Sequence, residues 1–335
     1  MDLSKYSHKI FTPDPRDFEP LALEVFRFQY SNIPVYRDYV NALQVSIPDV
    51  QSIRQIPFLP IRFFKSHTVC IPAEGRMTVF ESSGTTSSVN SRHYVKDISL
   101  YEESFSRGFE LFYGDVKDWC IIGLLPSYLE RDNSSLVYMV NELIKKSNHP
   151  PSGFYLHDHE KLFSVLASLE KRGQKTILIG VTFALLDFAE KYPLPLKHTI
   201  IMETGGMKGR REEMIRQQVH DVFQKAFSVS SVHSEYGMTE LLSQAYSKEN
   251  GIFYCPPWMK VLVRDDEDPL TVKEAPQSKM PAQFSGAINV IDLANIWSCS
   301  FIATDDAGRL YNDGSFEVLG RIDNSDLRGC SLLTV

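Results

Sequence analysis

Four short apolar runs alternate with segments of helical periodicity through the middle of the chain, and this alternation limits the possible folds most strongly. The runs lie at 77–81, 119–125, 176–181 and 197–202, and the helical patterns lie at 98–113, 133–147, 158–172, 181–191 and 209–226. Strands that alternate with helices favour a mostly parallel sheet with both faces covered. We therefore predict an α/β fold in which mostly parallel sheets are flanked by helices.

The two ends of the chain differ from this middle part. Residues 16–45 predict one or two helices, interrupted at Ile33-Pro34. After about residue 250, strand-like segments are separated by turn residues, and the polar segment 265–282 is typical of a surface loop. The predicted parts are an N-terminal helical segment at 1–75, an α/β core at 76–255 and a β-rich subdomain at 256–335.

Composition excludes several classes of protein. The 335 residues are 43% hydrophobic and 23% charged, as in a globular protein with a sizeable core. A formal net charge of −7 argues against a nucleic-acid partner. Neither a signal peptide nor a transmembrane segment is visible, so we expect a cytoplasmic location. The five cysteines are widely spaced without a C-x-x-C motif, which predicts free thiols in a reducing compartment.

A loop rich in hydroxyl groups follows the first apolar run. Residues 81–88 read Glu-Ser-Ser-Gly-Thr-Thr-Ser-Ser, with six hydroxyls and one glycine. Backbone N–H and hydroxyl donors at a strand end suit a nucleotide phosphate, although a simple polar turn has the same composition. Because no G-x-x-x-x-G-K-[ST] motif occurs, the loop points away from kinases and motor ATPases toward another use of ATP.

Two further segments carry residue types that suit a nucleotide. Residues 203–210 read Glu-Thr-Gly-Gly-Met-Lys-Gly-Arg after a predicted strand, where paired glycines admit a planar ligand or simply form a tight turn. Residues 234–240 read Ser-Glu-Tyr-Gly-Met-Thr-Glu. Here Tyr236 could stack on adenine, Thr239 could donate to a phosphate and Glu240 could hold Mg²⁺. The alternative is a helix that begins with Ser234 as its N-cap.

The fourth segment runs from Thr304 to Arg321. Asn312-Asp313-Gly314 predicts a hairpin turn and needs no ligand to explain it. Asp306 is different, because one carboxylate can accept both hydroxyls of a ribose. Arg321 could meet a ribose or phosphate oxygen.

The order of these four segments resembles the adenylate-forming superfamily of acyl-CoA synthetases, peptide-synthetase adenylation domains and luciferase. Within it, the chain is most similar to the acyl-protein synthetases of bacterial luminescence operons, or LuxE-like proteins. Residues 57–65, 203–210 and 328–332 carry this narrower match. The resemblance implies the large-domain fold of the superfamily. The chain ends 12 residues after Asp323, so we expect the small C-terminal domain and its lysine to be absent.

The resemblance implies a role for each matching position. The residues that contact the ATP phosphates are Ser82, Ser83, Gly84, Thr85, Thr86 and Ser87. Thr239 is implied to contact the α-phosphate. Those that bind the rest of the nucleotide are Gly205, Gly206, Tyr236, Gly237, Asp306 and Arg321, and Gly205 and Gly206 also line the acyl pocket. Glu240 is implied as the catalytic residue that binds Mg²⁺. The superfamily has Thr-Gly-Asp where this chain has Thr304-Asp305-Asp306, so Asp305 is the alternative to Asp306.

The implied reaction begins when a carboxylate attacks the α-phosphorus of ATP, which gives an acyl adenylate and pyrophosphate. Lys65, Lys208 and Arg210 are the candidate cations that replace the missing lysine, with Lys208 preferred for its place in the Gly-Gly-Met-Lys turn. In the resembling enzymes the acyl group then passes to a cysteine near the C-terminus, and from there to a reductase. Cys330 matches that position, and Arg328 can favour its thiolate.

Two alternatives remain open. The chain could be an acid–thiol ligase that acylates coenzyme A or a carrier protein, or a non-catalytic nucleotide-binding subunit. The expected partners are a carboxylic acid, most plausibly a fatty acid, and a reductase-like or acyl-carrier protein.

Other candidates are weaker. Ser127 and Tyr128 follow a strand and are predicted substrate contacts, together with His233. His157-Asp158-His159 has metal-ligand residue types, but a helix that begins at Asp158 explains it better.

Overall fold

The computed structural model describes residues 6, 9–11, 15–72, 75, 77–82, 89–126, 133–205, 214–265, 267–275 and 282–322. The α-helices of these ranges are α1 (Phe18–Asn32), α2 (Pro34–Ala42), α3 (Phe63–Ser66), α4 (Ile98–Tyr113), α5 (Ser135–Ser147), α6 (His159–Lys171), α7 (Thr182–Lys191) and α8 (Arg216–Phe227). Short 3-10 helices lie at Pro15–Asp17, Ile47–Asp49, Ile53–Gln55 and Val116–Asp118. Among the described residues, no helix combines the length and apolar character that crossing a bilayer requires.

The strands are β1 (Leu59–Pro60), β2 (Thr78–Glu81), β3 (Arg92–Val95), β4 (Cys120–Leu124), β5 (Gly153–Phe154), β6 (Thr176–Gly180), β7 (Thr199–Glu203), β8 (His233–Tyr236), β9 (Ala245–Ser247), β10 (Phe253–Tyr254), β11 (Met259–Arg264), β12 (Val272–Lys273), β13 (Gln283–Asp292), β14 (Phe301–Tyr311) and β15 (Phe316–Arg321). All except β2 and β3 belong to one sheet of 13 strands. β2 and β3 form a separate antiparallel hairpin.

The parallel part of the large sheet has the order β5-β4-β6-β7-β8. Every residue of β4 and β6 is buried, as expected for strands with both faces covered. The described helices between these strands place apolar side chains in the core. The α/β fold predicted from the alternation of strands and helices is confirmed.

The C-terminal part continues the same sheet with antiparallel strands in the order β8-β9-β10-β15-β14-β13-β11-β12. The β-rich character predicted after residue 250 is therefore confirmed. The boundary predicted at residue 255 lies within this continuous sheet, between β10 and β11. The turn Asn312–Gly314 joins β14 to β15, and Gly314 has a φ of 84°, which confirms the predicted hairpin.

The N-terminal helices pack on this antiparallel part. Gln29 of α1 is fully buried, and its side-chain amide donates to the carbonyls of Asn295 and Ile296. In return its Oε1 accepts from the backbone N–H of Ser300. Residues 292–300 lie beside the candidate site, so α1 helps to fix their position.

One sequence prediction was wrong in detail, and one of the alternatives is excluded. The helix predicted at 209–226 begins at Arg216, because Ile215 is extended and its N–H bonds to the side chain of Gln218. Residues 209–213 lie outside the described residues. Ser234 does not cap a helix, since it lies inside the buried strand β8.

Candidate active site

Tyr236 and Asp306 lie on strands four places apart in the sheet order, and yet they are hydrogen-bonded. The hydroxyl of Tyr236 donates to Asp306 Oδ2 over 2.9 Å. Its ring packs edge-on against Phe253 and Phe316. The sheet must curve between β8 and β14 for this contact to form, and register shifts in β13 and β14 are consistent with local bending. The curvature brings the two segments into contact. The sequence alone gives their order along the chain but not this contact.

The two neighbouring aspartates of β14 face different partners. Asp306 faces Tyr236 and lies 3.8 Å from Arg321, whereas the carboxylate of Asp305 pairs with Arg62 at 3.1 Å. Successive side chains on a strand point to opposite faces, which explains the division. Burial raises the pKa of Asp306, and the hydrogen bond from Tyr236 and the charge of Arg321 oppose that rise. Asp306 is thus the aspartate that faces the other candidate residues.

The loop that carries Thr239 and Glu240 is held by buried polar side chains. The ring of His93 lies between the Thr239 carbonyl, 2.8 Å from Nδ1, and Asn295 Oδ1, 2.9 Å from Nε2. Asn295 Nδ2 in turn donates to the carbonyl of Glu240 over 2.8 Å. Burial lowers the pKa of His93 to about 4. The ring is therefore neutral near pH 7, and its single N–H can donate to only one of these two oxygens at a time.

Asp292 fixes the next part of the same loop. Its fully buried carboxylate accepts from the backbone N–H groups of Leu242, Ser243 and Ala294 and from the Ser243 hydroxyl, at 2.6–3.1 Å. Burial raises the pKa of Asp292 to about 6 against these four bonds. A carboxylate with four donors is a rigid anchor, and it sets the position of the segment that follows Glu240.

Glu240 is a buried carboxylate with cations nearby. Its side chain is almost fully buried and accepts from the hydroxyl of Ser91. Burial raises the pKa of Glu240, while the positive charges of Arg321 and Lys65 act in the opposite direction. Arg321 therefore acts on both Glu240 and Asp306, which places the three side chains in one electrostatic neighbourhood.

The end of β7 forms a tight turn stabilised by Glu203. Its Oε2 accepts from the backbone N–H of Gly205 at 2.8 Å and from the hydroxyl of Thr182 at 3.0 Å. Burial opposes ionisation, but His220, Arg216, the Ser234 hydroxyl and the N–H of Gly205 lower the pKa of Glu203 to about 2. Gly205 has a φ of 73°, which a glycine adopts without strain.

A cavity of about 340 Å³ opens at the carboxyl ends of β4, β6, β7 and β8. Polar side chains and glycines line part of it: Glu81, Ser134, Ser135, Thr204, Gly205, Gly237 and Thr239. The rest of the lining is mainly apolar and consists of Tyr101, Leu125, Pro126, Leu136, Val137, Met139, Leu156, Val181, Phe183 and Met238. Ligands of open α/β sheets bind at this edge, so the cavity suits an apolar group next to a polar rim.

Three of the polar side chains that line the cavity are buried: Ser135, Glu235 and Gln244. Burial, reinforced by the negative charge of Glu203, raises the pKa of Glu235 to about 8. The carboxyl group is therefore mostly protonated at neutral pH.

The structure brings most of the described sequence candidates together. Those in or beside the cavity are Gly205, Tyr236, Gly237, Thr239, Glu240, Asp306 and Arg321. Ser82 closes the base of the β2–β3 hairpin, where its hydroxyl accepts from the N–H of Ser91. His233 instead packs against α4, with its Nδ1 3.1 Å from the hydroxyl of Tyr113, and does not line the cavity. Its substrate role stays a prediction.

Several predicted site residues lie outside the described residues. They are Ser83, Gly84, Thr85, Thr86, Ser87, Ser127, Tyr128, Gly206, Lys208 and Cys330. Their assigned roles stay predictions.

Sequence reasoning missed His93, Asp292 and Asn295 as determinants of the Thr239-Glu240 loop. Nothing near them in the chain signals this role, because they reach the loop across 50 or more positions of sequence. Glu235 could have been identified as a candidate, because it is a carboxylate in a strand that is buried between two other strands.

The His157-Asp158-His159 segment begins a helix, as predicted. Asp158 is the N-cap of α6 and accepts from the N–H of Lys161 at 3.0 Å. Within the described residues no group of three or more His, Cys, Asp or Glu side chains is arranged to hold a metal ion.

We expect His93→Phe to loosen the Thr239-Glu240 loop. Phenylalanine retains the ring volume but removes the single N–H of the neutral imidazole, so whichever of the two oxygens accepts it is left unpaired, which costs about 1–3 kcal/mol. Thermal denaturation should show a melting temperature several degrees lower, and ATP–pyrophosphate exchange should slow by about tenfold. The matched control is His198→Phe, at an exposed position. Equal melting temperatures and exchange rates for the two variants would contradict the role of His93.

Solved structures with a similar fold are adenylate-forming ligases. A 2-hydroxyisobutyryl-CoA ligase in complex with 2-HIB-AMP and CoA matches with a TM-score of 0.64 and 14% identity, over 97% of this chain and 70% of that one. AtGH3.15 acyl acid amido synthetase in complex with 2,4-DB matches with a TM-score of 0.52 and 12% identity, over 95% of this chain and 70% of that one. A search of curated proteins found no match. The fold is that of the adenylate-forming class.

The sequence comparison is more specific. The family model for LuxE, acyl-protein synthetase, matches residues 16–334. The chain belongs to the LuxE acyl-protein synthetase family, and it is an adenylate-forming acyl ligase.

Proposed function

We propose that this enzyme activates a carboxylic acid with ATP as an acyl adenylate and then transfers the acyl group to the thiol of Cys330. The observation that carries the first step is the meeting of Tyr236, Asp306 and Arg321 beside Glu240 and the cavity. These side chains come from three separate parts of the sequence, and each offers chemistry that a nucleotide requires.

In the proposed complex the ring of Tyr236 contacts the adenine and the carboxylate of Asp306 accepts the ribose hydroxyls. Arg321 and Thr239 donate to ribose or phosphate oxygens, with the hydroxyl loop of residues 82–87 around the remaining phosphates. The acid lies in the cavity, with its carboxylate next to Gly205 and Gly237. A carboxylate oxygen attacks the α-phosphorus, the bond to the β-phosphate oxygen breaks, and pyrophosphate leaves. The protein's main task is to align two anions.

A magnesium ion fits the donor set on the nucleotide side. Mg²⁺ is commonly held by one or two carboxylates together with substrate phosphates rather than by a protein cage. Glu240 supplies one such carboxylate, already close to the charges of Lys65 and Arg321. When bound, the ion would offset phosphate charge.

In the second step the Cys330 thiolate attacks the acyl carbon, a thioester forms and AMP leaves. The four described cysteines favour this assignment, because burial raises the pKa of Cys70, Cys120, Cys255 and Cys299. A thiol with a raised pKa is a poor nucleophile at neutral pH. A reductase-like or acyl-carrier protein is the proposed recipient of the acyl group.

The apolar lining of the cavity supports an acid with an alkyl chain, such as a fatty acid. Acyl transfer directly to coenzyme A or to a carrier protein is the second candidate. CoA in the complex of the 2-hydroxyisobutyryl-CoA ligase favours that alternative for an enzyme of this fold.

ATP–pyrophosphate exchange across a panel of acids tests the first step. We expect Mg²⁺-dependent exchange with at least one acid that has an alkyl chain. Absence of exchange with every acid, in a protein that binds ATP, would favour a non-catalytic nucleotide-binding subunit.

Lys65 is the described candidate for the cation that acts on the α-phosphate, since its charge already acts on Glu240. We expect Lys65→Met to slow pyrophosphate exchange by about 10- to 100-fold, whereas Lys65→Arg retains most of the rate because the charge is kept. Lys171→Met removes a lysine from the exposed end of α6 and serves as the control. If the Lys65 variants exchange at the same rate as this control, Lys65 is excluded as the cation, and Lys208 and Arg210 stay as the candidates.

A further inference from the structure

We propose that the acid recognised by this cavity carries a hydroxyl group close to its carboxylate, and that Glu235 and Gln244 bind this hydroxyl. The inference rests on the proposed function only in assigning the acid to this cavity. It narrows the substrate from any carboxylic acid with an alkyl chain to a hydroxylated one.

Glu235 and Gln244 are the observation behind the proposal. Glu235 is 8% exposed and Gln244 is 6% exposed, and both line the cavity. Neither side chain makes a hydrogen bond to another described residue, and neither is among the fully enclosed polar groups without a partner, so their polar atoms open into the cavity. Buried polar groups are nearly always paired in native proteins. Two unpaired ones on the wall of the same cavity therefore indicate that a ligand completes their hydrogen bonds.

The position of Glu235 locates the hydroxyl near the reacting end of the acid. The side chain folds over Gly237, where an added Cβ would collide with Glu235 Oε1 and lie 3.4 Å from Gln244 Cγ. Gly237 is two residues before Thr239, and both line the cavity. The far end of an alkyl chain would instead lie among the apolar side chains of the lining.

The chemistry of the pair matches a hydroxyl group. Burial and the negative charge of Glu203 keep Glu235 protonated at neutral pH, so its carboxyl group offers one donor as well as acceptors. The Gln244 amide likewise offers hydrogen-bond donors and an acceptor. A hydroxyl both donates and accepts, whereas an ammonium group would need an ionised carboxylate. An unsubstituted alkyl chain would leave both side chains unpaired.

A pocket for an alkyl chain alone would not require polar side chains such as those of Glu235 and Gln244. Sites built to hydrogen-bond a substrate reject the analogue that lacks the group far more strongly than apolar pockets discriminate by size. The pair therefore acts as a specificity element within a cavity whose lining is mainly apolar.

The test compares three acids of equal carbon number: the 3-hydroxy acid, the unsubstituted acid and the 3-amino acid. Binding is measured by calorimetry without ATP, and adenylation by pyrophosphate exchange. The variants are Glu235→Met, which keeps the size of the side chain but not its hydrogen bonds, and Glu235→Gln, which keeps both. Gln244→Met tests the second member of the pair.

We expect wild-type protein to bind the 3-hydroxy acid at least tenfold more tightly than the unsubstituted acid. Glu235→Met should remove this preference while it binds the unsubstituted acid as well as wild type does or better. Glu235→Gln should keep most of the preference. Retention of binding to the unsubstituted acid also shows that the methionine variant is folded.

Equal binding of the 3-hydroxy and unsubstituted acids by wild type would overturn the inference, as would tightest binding of the 3-amino acid. These outcomes are separate from the proposed activity. Pyrophosphate exchange without a preference for the 3-hydroxy acid would support the proposed adenylation but overturn the inference that the acid carries a hydroxyl group. A hydroxyl preference in binding without any exchange keeps the inference and removes the proposed reaction.

Discussion

Glu240→Gln is expected to slow ATP–pyrophosphate exchange by about 10²- to 10³-fold, because it removes the carboxylate proposed to hold the Mg²⁺ that would offset phosphate charge. Glutamine retains the size of the side chain and can still accept from Ser91. The backbone of residue 240 is held independently by Asn295, so the loop should keep its position. The loss should therefore fall on catalysis, and raising the Mg²⁺ concentration should restore part of the rate.

Glu110→Gln provides the control for this prediction, because Glu110 is exposed on α4. Its exchange rate should equal that of wild type. If Glu240→Gln retains the wild-type rate and the wild-type dependence on Mg²⁺, Glu240 does not hold the metal.

Glu235→Gln is expected to change how stability depends on pH. The pKa of Glu235 is raised from 4.5 to about 8, first by burial and then by Glu203. Between these two pH values the folded protein holds a proton that the unfolded chain has lost. Stability therefore falls as pH rises through this window, by up to about 5 kcal/mol from this group alone. Glutamine does not titrate, so the variant should lose less stability than wild type.

Urea unfolding of wild type and Glu235→Gln at pH 5, 7 and 9 measures the effect. The difference in unfolding free energy should move in favour of glutamine as the pH rises and should level off above pH 8. Asp292, with a pKa of about 6, contributes equally to both proteins and cancels in this comparison. A difference that stays constant from pH 5 to pH 9 would mean that Glu235 titrates in the same range folded and unfolded.

The sequence predicts those parts of the fold that depend on local patterns. The buried strands β4 and β6 follow from short apolar runs, and α6 begins at Asp158 as its capping residue predicts. The start of α8 was misjudged because Ile215 and Gln218 form a local bond that no periodicity reveals.

The site depends more on long-range contacts. Motif order placed Tyr236 and Asp306 in one site, but their hydrogen bond requires a curved sheet with several intervening strands. The choice between Asp305 and Asp306 also needed the structure, because a pleated strand turns neighbouring side chains to opposite faces. Supporting residues such as His93 were missed, since their role exists only once distant segments are packed.

Mass spectrometry of the intact protein tests the central proposal most directly. The protein is incubated with ATP, Mg²⁺ and an acid that supports pyrophosphate exchange. We predict a mass increase equal to the acyl group in wild type and in Cys255→Ala, and no increase in Cys330→Ala, with exchange retained in all three. An acyl adduct that persists in Cys330→Ala, or exchange in wild type without any adduct, would contradict transfer to Cys330.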